Sequence, residues 1–262
     1  MRAHLVQLDI RWKEKKANYD RVLELVAEVR PEPHDLVILP EVFDTGFTID
    51  LLSSPDSDGA TLEFQRRLAA SGRLYVHACR TVLGQDGRGR NRATTVGPGG
   101  EILAEYDKVH PFSLGPVGKR ESDCFTPGDK VTTFDWSDGS ASIRVCPLIC
   151  YDLRFPELFR RGLAAGAEMF LVCANWPDTR VQHWRTLLAA RAIENQAFVL
   201  GVNRAGNDPA LRYPGASMAL GPMGEVLAEA GGKEQVLSVA IDRGPLDSWR
   251  GKFPAWKEAG AL

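Results

Sequence analysis

The sequence has no apolar stretch long enough to span a bilayer, so no transmembrane helix is expected. An excess of one charge is missing too: 32 Lys plus Arg stand against 34 Asp plus Glu, and basic residues gather only in groups as short as Lys15-Lys16. Without a basic stripe, a nucleic-acid partner is not expected. The chain is poor in cysteine, with five in 262 residues, an odd number that argues against a disulfide framework. The first residues, Met1-Arg2-Ala3-His4-Leu5-Val6, enter a strand-like segment without the apolar core and small-residue cleavage site of a secretory signal. Together these absences lead us to expect a cytoplasmic protein with free thiols and no membrane partner. No Ser/Gly/Pro-rich linker divides the chain, which we read as one domain over residues 1–262.

What is present is an alternation. Apolar runs rich in Val, Ile and Leu at residues 3–8, 35–39, 74–82, 142–149, 169–173 and 198–202 read as strands. Between them, residues 18–30, 61–71, 156–165 and 182–195 carry helical periodicity. The pattern predicts α/β layers. Residues 94–106 and 213–228 break it, each placing a Gly/Pro turn (Gly97-Pro98-Gly99-Gly100 and Gly221-Pro222-Met223-Gly224) between extended runs. Antiparallel hairpins follow, hence mixed sheets, and their matching places suggest pseudo-symmetric halves.

Three chemistry-bearing residues fall at the carboxyl ends of extended runs: Glu41 after 35–40, Lys108 after 101–107 and Cys150 after 143–149. Ligands bind at such ends because loops converge there over a rigid sheet. Cys150 is followed by Pro156 and Glu157, suited to a helix's first turn, so the layout is strand, sharp turn, helix. That is the logic of a nucleophile elbow, which raises a side chain and frees nearby backbone N–H groups, here that of Tyr151, for an oxyanion. A thiol is mostly protonated near neutral pH and needs a base or a cationic neighbour. Glu41 can take the proton and the Lys108 ammonium can stabilise the oxyanion of an attacked amide, with no metal or organic cofactor. Each residue also has an ordinary alternative: a loop acid, a solvated lysine, a core cysteine. Cys79, Cys146 and Cys173 lie in apolar runs and read as small buried hydrophobes.

Leu39-Pro40-Glu41, Tyr106-Asp107-Lys108-Val109-His110-Pro111-Phe112, Cys150-Tyr151-Asp152-Leu153-Arg154-Phe155-Pro156-Glu157 and Arg191-Ala192-Ile193-Glu194-Asn195-Gln196 occur in that order. In this the whole chain resembles the nitrilase superfamily of carbon–nitrogen hydrolases. The resemblance implies a four-layer α-β-β-α sandwich that pairs into a homodimer, with Glu41, Lys108 and Cys150 catalytic. It implies a second glutamate at Glu121, orienting Lys108 and the amide; from the residues alone Glu121 is a loop acid. Cys173-Ala174-Asn175-Trp176-Pro177 with Gln182-His183-Trp184 looks like the bacterial ω-amidase branch, whose substrates are small amides such as 2-oxoglutaramate and succinamate. Such a substrate carries a carboxylate, for which Arg154 is the candidate partner; Asp152 or Glu157 could hold Arg154 instead. Trp176 and Thr179 are candidate pocket residues or plain loop packing. Pro111 departs from the leucine common in the family and is expected to affect the loop carrying Glu121.

Other readings remain open at this stage. A cysteine peptidase would use His110 or His183 as base. Within the superfamily, deaminated-glutathione amidase, N-carbamoyl amino acid hydrolase and nitrilase are alternatives, and a fold retained only for interaction is another. A metal site is not expected, because Cys146 and Cys150 have no nearby His/Cys set to complete it.

Overall fold

Apolar residues two apart on the strands point to one side of a sheet, and the intervening ones to the other. In the computed structural model, which describes residues 1–115, 118 and 120–260, this alternation builds two six-stranded sheets packed face to face. The first half of the chain runs β1 (Arg2–Gln7), α1 (Lys15–Val29), β2 (Leu36–Ile38), α2 (Ala60–Gly72), β3 (Tyr75–Leu83), β4 (Gly89–Val96), β5 (Ile102–Asp107) and a single turn, α3 (Glu121–Cys124). The second runs β6 (Phe134–Ser137), β7 (Ser142–Ile149), α4 (Pro156–Ala164), β8 (Met169–Ala174), α5 (Val181–Asn195) and β9 (Phe198–Asn203). There follow β10 (Ala205–Asn207), β11 (Arg212–Pro214), β12 (Met218–Leu220), β13 (Val226–Glu229), β14 (Gln235–Ala240) and α6 (Arg243–Lys252).

The first sheet has the order β14-β1-β2-β3-β4-β5 and the second β13-β12-β9-β8-β7-β6. In each, three parallel strands are joined through two helices and followed by an antiparallel hairpin, β4–β5 or β12–β13. The first parallel strand of each sheet is flanked by an antiparallel neighbour, β14 beside β1 and β6 beside β7. The two halves therefore repeat one topology, and both expected hairpins are present.

Ala3 and Leu5 of β1, Leu36 and Ile38 of β2, and Cys79 of β3 pack with Val145, Leu171, Cys173 and Leu200 between the sheets. Val6, Val37 and Val76, the alternating residues, instead meet Val22, Leu25 and Val26 of α1 and Phe64 and Leu68 of α2. On the far side α5 buries Trp184, Leu188 and Ala192, residues four apart that share one face. Gly162 lets α4 lie close to the second sheet, since a Cβ there would meet Phe170 at 2.6 Å and the Cys146 sulfur at 2.9 Å. The result is the four-layer α-β-β-α sandwich. Among the described residues no helix is long and apolar enough to cross a membrane. Of the expected span 1–262, residues 116, 117, 119, 261 and 262 lie outside the described residues.

Candidate active site

The carboxyl ends of β2, β5, β7 and β8 deliver Glu41, Lys108, Cys150 and Asn175 to one place between the sheets. Cys150 follows β7 directly with φ +46°, opening a short 3-10 turn, Cys150–Arg154, that leads to Pro156 at the start of α4. Left-handed backbone at a residue with a Cβ is strained and persists only where its surroundings hold it. The buried Asp152 carboxylate does so here, accepting hydrogen bonds from the N–H groups of Ile149 (3.0 Å) and His110 (2.9 Å) and from the Tyr106 hydroxyl (2.7 Å). Arg191 adds two hydrogen bonds to the Leu153 carbonyl. Val42, next to Glu41, also has positive φ, +39°.

The charged cluster is almost dry: Glu41, Lys108 and Glu121 are 0%, 1% and 2% exposed. The Lys108 ammonium donates to Glu41 Oε1 and to Glu121 Oε2, each at 2.8 Å. Asn91 on β4 donates through one nitrogen to both acids, at 2.8 Å to Glu41 Oε1 and 2.9 Å to Glu121 Oε1. The other Glu41 oxygen accepts the Asn175 N–H at 2.9 Å. Phe112 N–H donates to Glu121 Oε2 at 2.6 Å, so the loop beginning at Pro111 still places Glu121 on Lys108.

Two carboxyl groups and one ammonium share this buried set, and the proton affinities respond. Burial pulls the Lys108 pKa down, but Glu121 and Glu41 outweigh it and the net shift is well upward. Burial raises the Glu121 carboxyl, opposed by Lys108 and reinforced by Glu41. Burial and then Glu41 drive the Cys150 thiol well above its ordinary value, against the pull of Lys108. A thiol whose proton is held this tightly needs a base to take that proton before its sulfur can attack.

A pocket of about 470 Å³ opens onto this cluster, lined by Cys150, Lys108, Tyr151, Trp176 and Arg154 among others. Tyr151 is the residue immediately after the thiol, and its ring meets Phe112 edge-on at 5.1 Å. Arg154 stacks on Trp176, its guanidinium carbon 4.9 Å from the ring, and approaches His183 at 3.2 Å. Neither Asp152 nor Glu157 holds it, and among the described residues no carboxylate lies within salt-bridge distance of it. Thr179 is exposed and outside the pocket lining; its neighbour Arg180 is in the lining instead, its guanidinium carbon 5.9 Å from the Phe112 ring. His110 lies flat on Phe155, with ring centroids 3.5 Å apart, and faces Asp152. Neither His110 nor His183 lines the pocket, which removes the geometric basis for a Cys–His peptidase.

Sequence reasoning missed Asn91, Asn175 and Arg180. Asn175 stood in a noted motif without a role, and its position just past a buried strand was the usable signal; Asn91 lies within a strand and gave none.

The carbon–nitrogen hydrolase family model matches residues 2–251. The chain belongs to the carbon–nitrogen hydrolase family. This hydrolase is 33% identical over 260 residues to the omega-amidase YafV of Escherichia coli K12, covering 97% of this chain and 95% of that protein. It is 32% identical over 239 residues to the 2-oxoglutaramate amidase of Bacillus subtilis 168, covering 90% of this chain and 89% of the relative. Among solved structures it resembles XC1258 from Xanthomonas campestris, a CN-hydrolase superfamily protein with an arsenic adduct in its active site. That match has a TM-score of 0.90 and 33% identity, over 98% of this chain and 96% of the other. The hydrolase is an amidase, and its substrate is a small-molecule amide.

Proposed function

We propose that this amidase removes the terminal amide of short dicarboxylate monoamides, 2-oxoglutaramate and succinamate, through a thioester on Cys150. The observation that carries the reading is one pocket lined by a thiol and by an ammonium that is paired with the buried Glu41, with two arginines in its wall that have no carboxylate partner among the described residues. Glu41 accepts the thiol proton as the sulfur attacks the amide carbon. The oxyanion that forms is stabilised by the Lys108 ammonium and the Tyr151 N–H. Glu41 returns the proton to the nitrogen, the C–N bond breaks, and ammonia leaves. Water, deprotonated by Glu41, then attacks the thioester, and the sulfur departs with that proton, leaving a carboxylic acid. The net change is one amide and one water to one acid and one ammonia. Glu121 fixes Lys108 by its hydrogen bond, and Asn91 and Asn175 fix Glu41.

Arg154 and Arg180 supply the distal selectivity, since a guanidinium can grip a carboxylate by two parallel hydrogen bonds. Trp176 supports Arg154 by its ring face; Thr179 has no part in this reading. We also propose one carbon–nitrogen hydrolase domain over residues 1–262, acting in the cytoplasm as a homodimer without cofactor. The activity is tested by ammonia release from succinamate, 2-oxoglutaramate, carbamoyl amino acids, long aliphatic amides and nitriles. The reading requires the first two to be fastest, and a preference for nitriles or carbamoyl compounds overturns it.

A further inference from the structure

The absence of a metal site was expected because Cys146 and Cys150 lacked partners, yet the fold assembles a different set. His77 and Cys79, two apart on β3, face the gap between the sheets where Cys173 of β8 comes to meet them. All three are fully buried, and their ligand atoms lie within 4.8 Å of one another. Three points no farther apart than that share a centre about 2.8 Å away at most, from 4.8 divided by √3. Metal–sulfur and metal–imidazole bonds of about 2.3 and 2.0–2.1 Å are thus reached if each ligand atom moves inward by at most about 0.5–0.8 Å.

The imidazole is prepared for this role. Its Nδ1 lies 2.8 Å from the Thr95 hydroxyl, while its Nε2 is buried, with the Cys173 thiol beside it and no nitrogen or oxygen partner among the described residues. With Nδ1–H donating to Thr95, the lone pair sits on Nε2, and an oriented second nitrogen of this kind accompanies metal-binding histidines. A thiol is only a weak donor, so without a metal this buried nitrogen is poorly satisfied.

We propose that His77, Cys79 and Cys173 form a site for one thiophilic d10 cation, Zn(II) or Cu(I), that ties the two sheets together beneath Glu41. Two sulfurs and an imidazole select soft ions over magnesium or calcium. Binding releases the thiol protons to solvent as the metal–sulfur bonds form, and no electron is transferred. The site touches the catalytic pocket only indirectly: His77 accepts the Leu39 N–H, and Cys173 is two residues before Asn175.

The test uses the full chain carrying Cys150→Ser, which removes the pocket thiol, dialysed anaerobically against Zn(II) in one arm and Cu(I) in the other. We expect about one equivalent of one ion per chain and, at a hundredfold excess over Kd, a melting temperature raised by about 5 °C. Cys173→Ala or His77→Phe should lower occupancy at least tenfold, and the arm that binds identifies the ion. Binding of neither ion overturns the proposal, as does full occupancy in the folded His77→Phe and Cys173→Ala proteins. Should those variants fail to fold, X-ray absorption of the loaded Cys150→Ser protein decides: two sulfurs and one nitrogen support the site, and an oxygen-rich shell refutes it.

Discussion

Lys108 and Glu41 form a 2.8 Å ion pair that is almost sealed from solvent, and the same ammonium is held as closely by Glu121. Breaking a buried pair from one side leaves the other charge uncompensated, typically about 3–5 kcal/mol. Lys108→Met should therefore abolish amide hydrolysis and also lower stability by several kcal/mol, because two buried carboxylates then face each other. Denaturant unfolding measured beside activity checks this; an inactive variant of unchanged stability would mean that the cluster is not balanced as described.

Arg154 and Arg180 act on the far end of the substrate in this account. Arg154→Ala and Arg180→Ala should each raise KM for succinamate about tenfold or more, a charged hydrogen bond being typically about 1.5–3 kcal/mol. An uncharged amide of the same chain length should be affected much less. Equal losses on both substrates would assign the arginines to pocket structure.

Asn91 offers one N–H₂ group to two acids, which fixes the distance between them. Asn91→Leu should lower kcat by about ten- to a hundredfold with KM nearly unchanged, as expected for displaced acid–base groups. The acid limb of its pH–rate profile should move as well, and a change in KM alone would contradict a positioning role.

Outside the site, Asp44 is buried against Thr61 and Lys15, and burial lifts its pKa to about 6 in spite of both. The unfolded chain releases this proton near pH 4, so between about pH 4 and 6 the native state holds a proton that the unfolded state has lost. Stability from this residue is present below that window and disappears as pH rises through it, by up to about 3 kcal/mol. Asp44→Asn should flatten that stretch of the stability curve; an unchanged slope in denaturant melts at pH 4.5 and 7 would refute the assignment.

The parts of this architecture that were legible in the sequence are those written in period two. The six apolar runs became β1, β2, β3, β7, β8 and β9 with small shifts at their ends, because burial on both faces leaves no other use for Val and Ile there. Strands β6, β10, β11 and β14 were not read: β10 and β11 span three residues each and β6 four, while most of β14 is only partly buried and gives little alternation. The meeting of Glu41, Lys108 and Cys150 was legible because all three follow strands whose ends converge. Glu121 was not visible without a family pattern, since its burial depends on a loop folding back over Lys108. The exchange of Thr179 for Arg180 has a similar origin: a three-residue 3-10 turn has too little periodicity to tell which side chain faces inward.

The Cys150 sulfur should carry the acyl group during turnover, and mass spectrometry of protein quenched in acid during the reaction with succinamate reads this out. A succinyl mass is expected on the peptide containing Cys150 within the first turnovers and not in Cys150→Ala, which should also release no ammonia. Ammonia release by Cys150→Ala at the wild-type rate, or an acyl group on Cys124 instead, would contradict it.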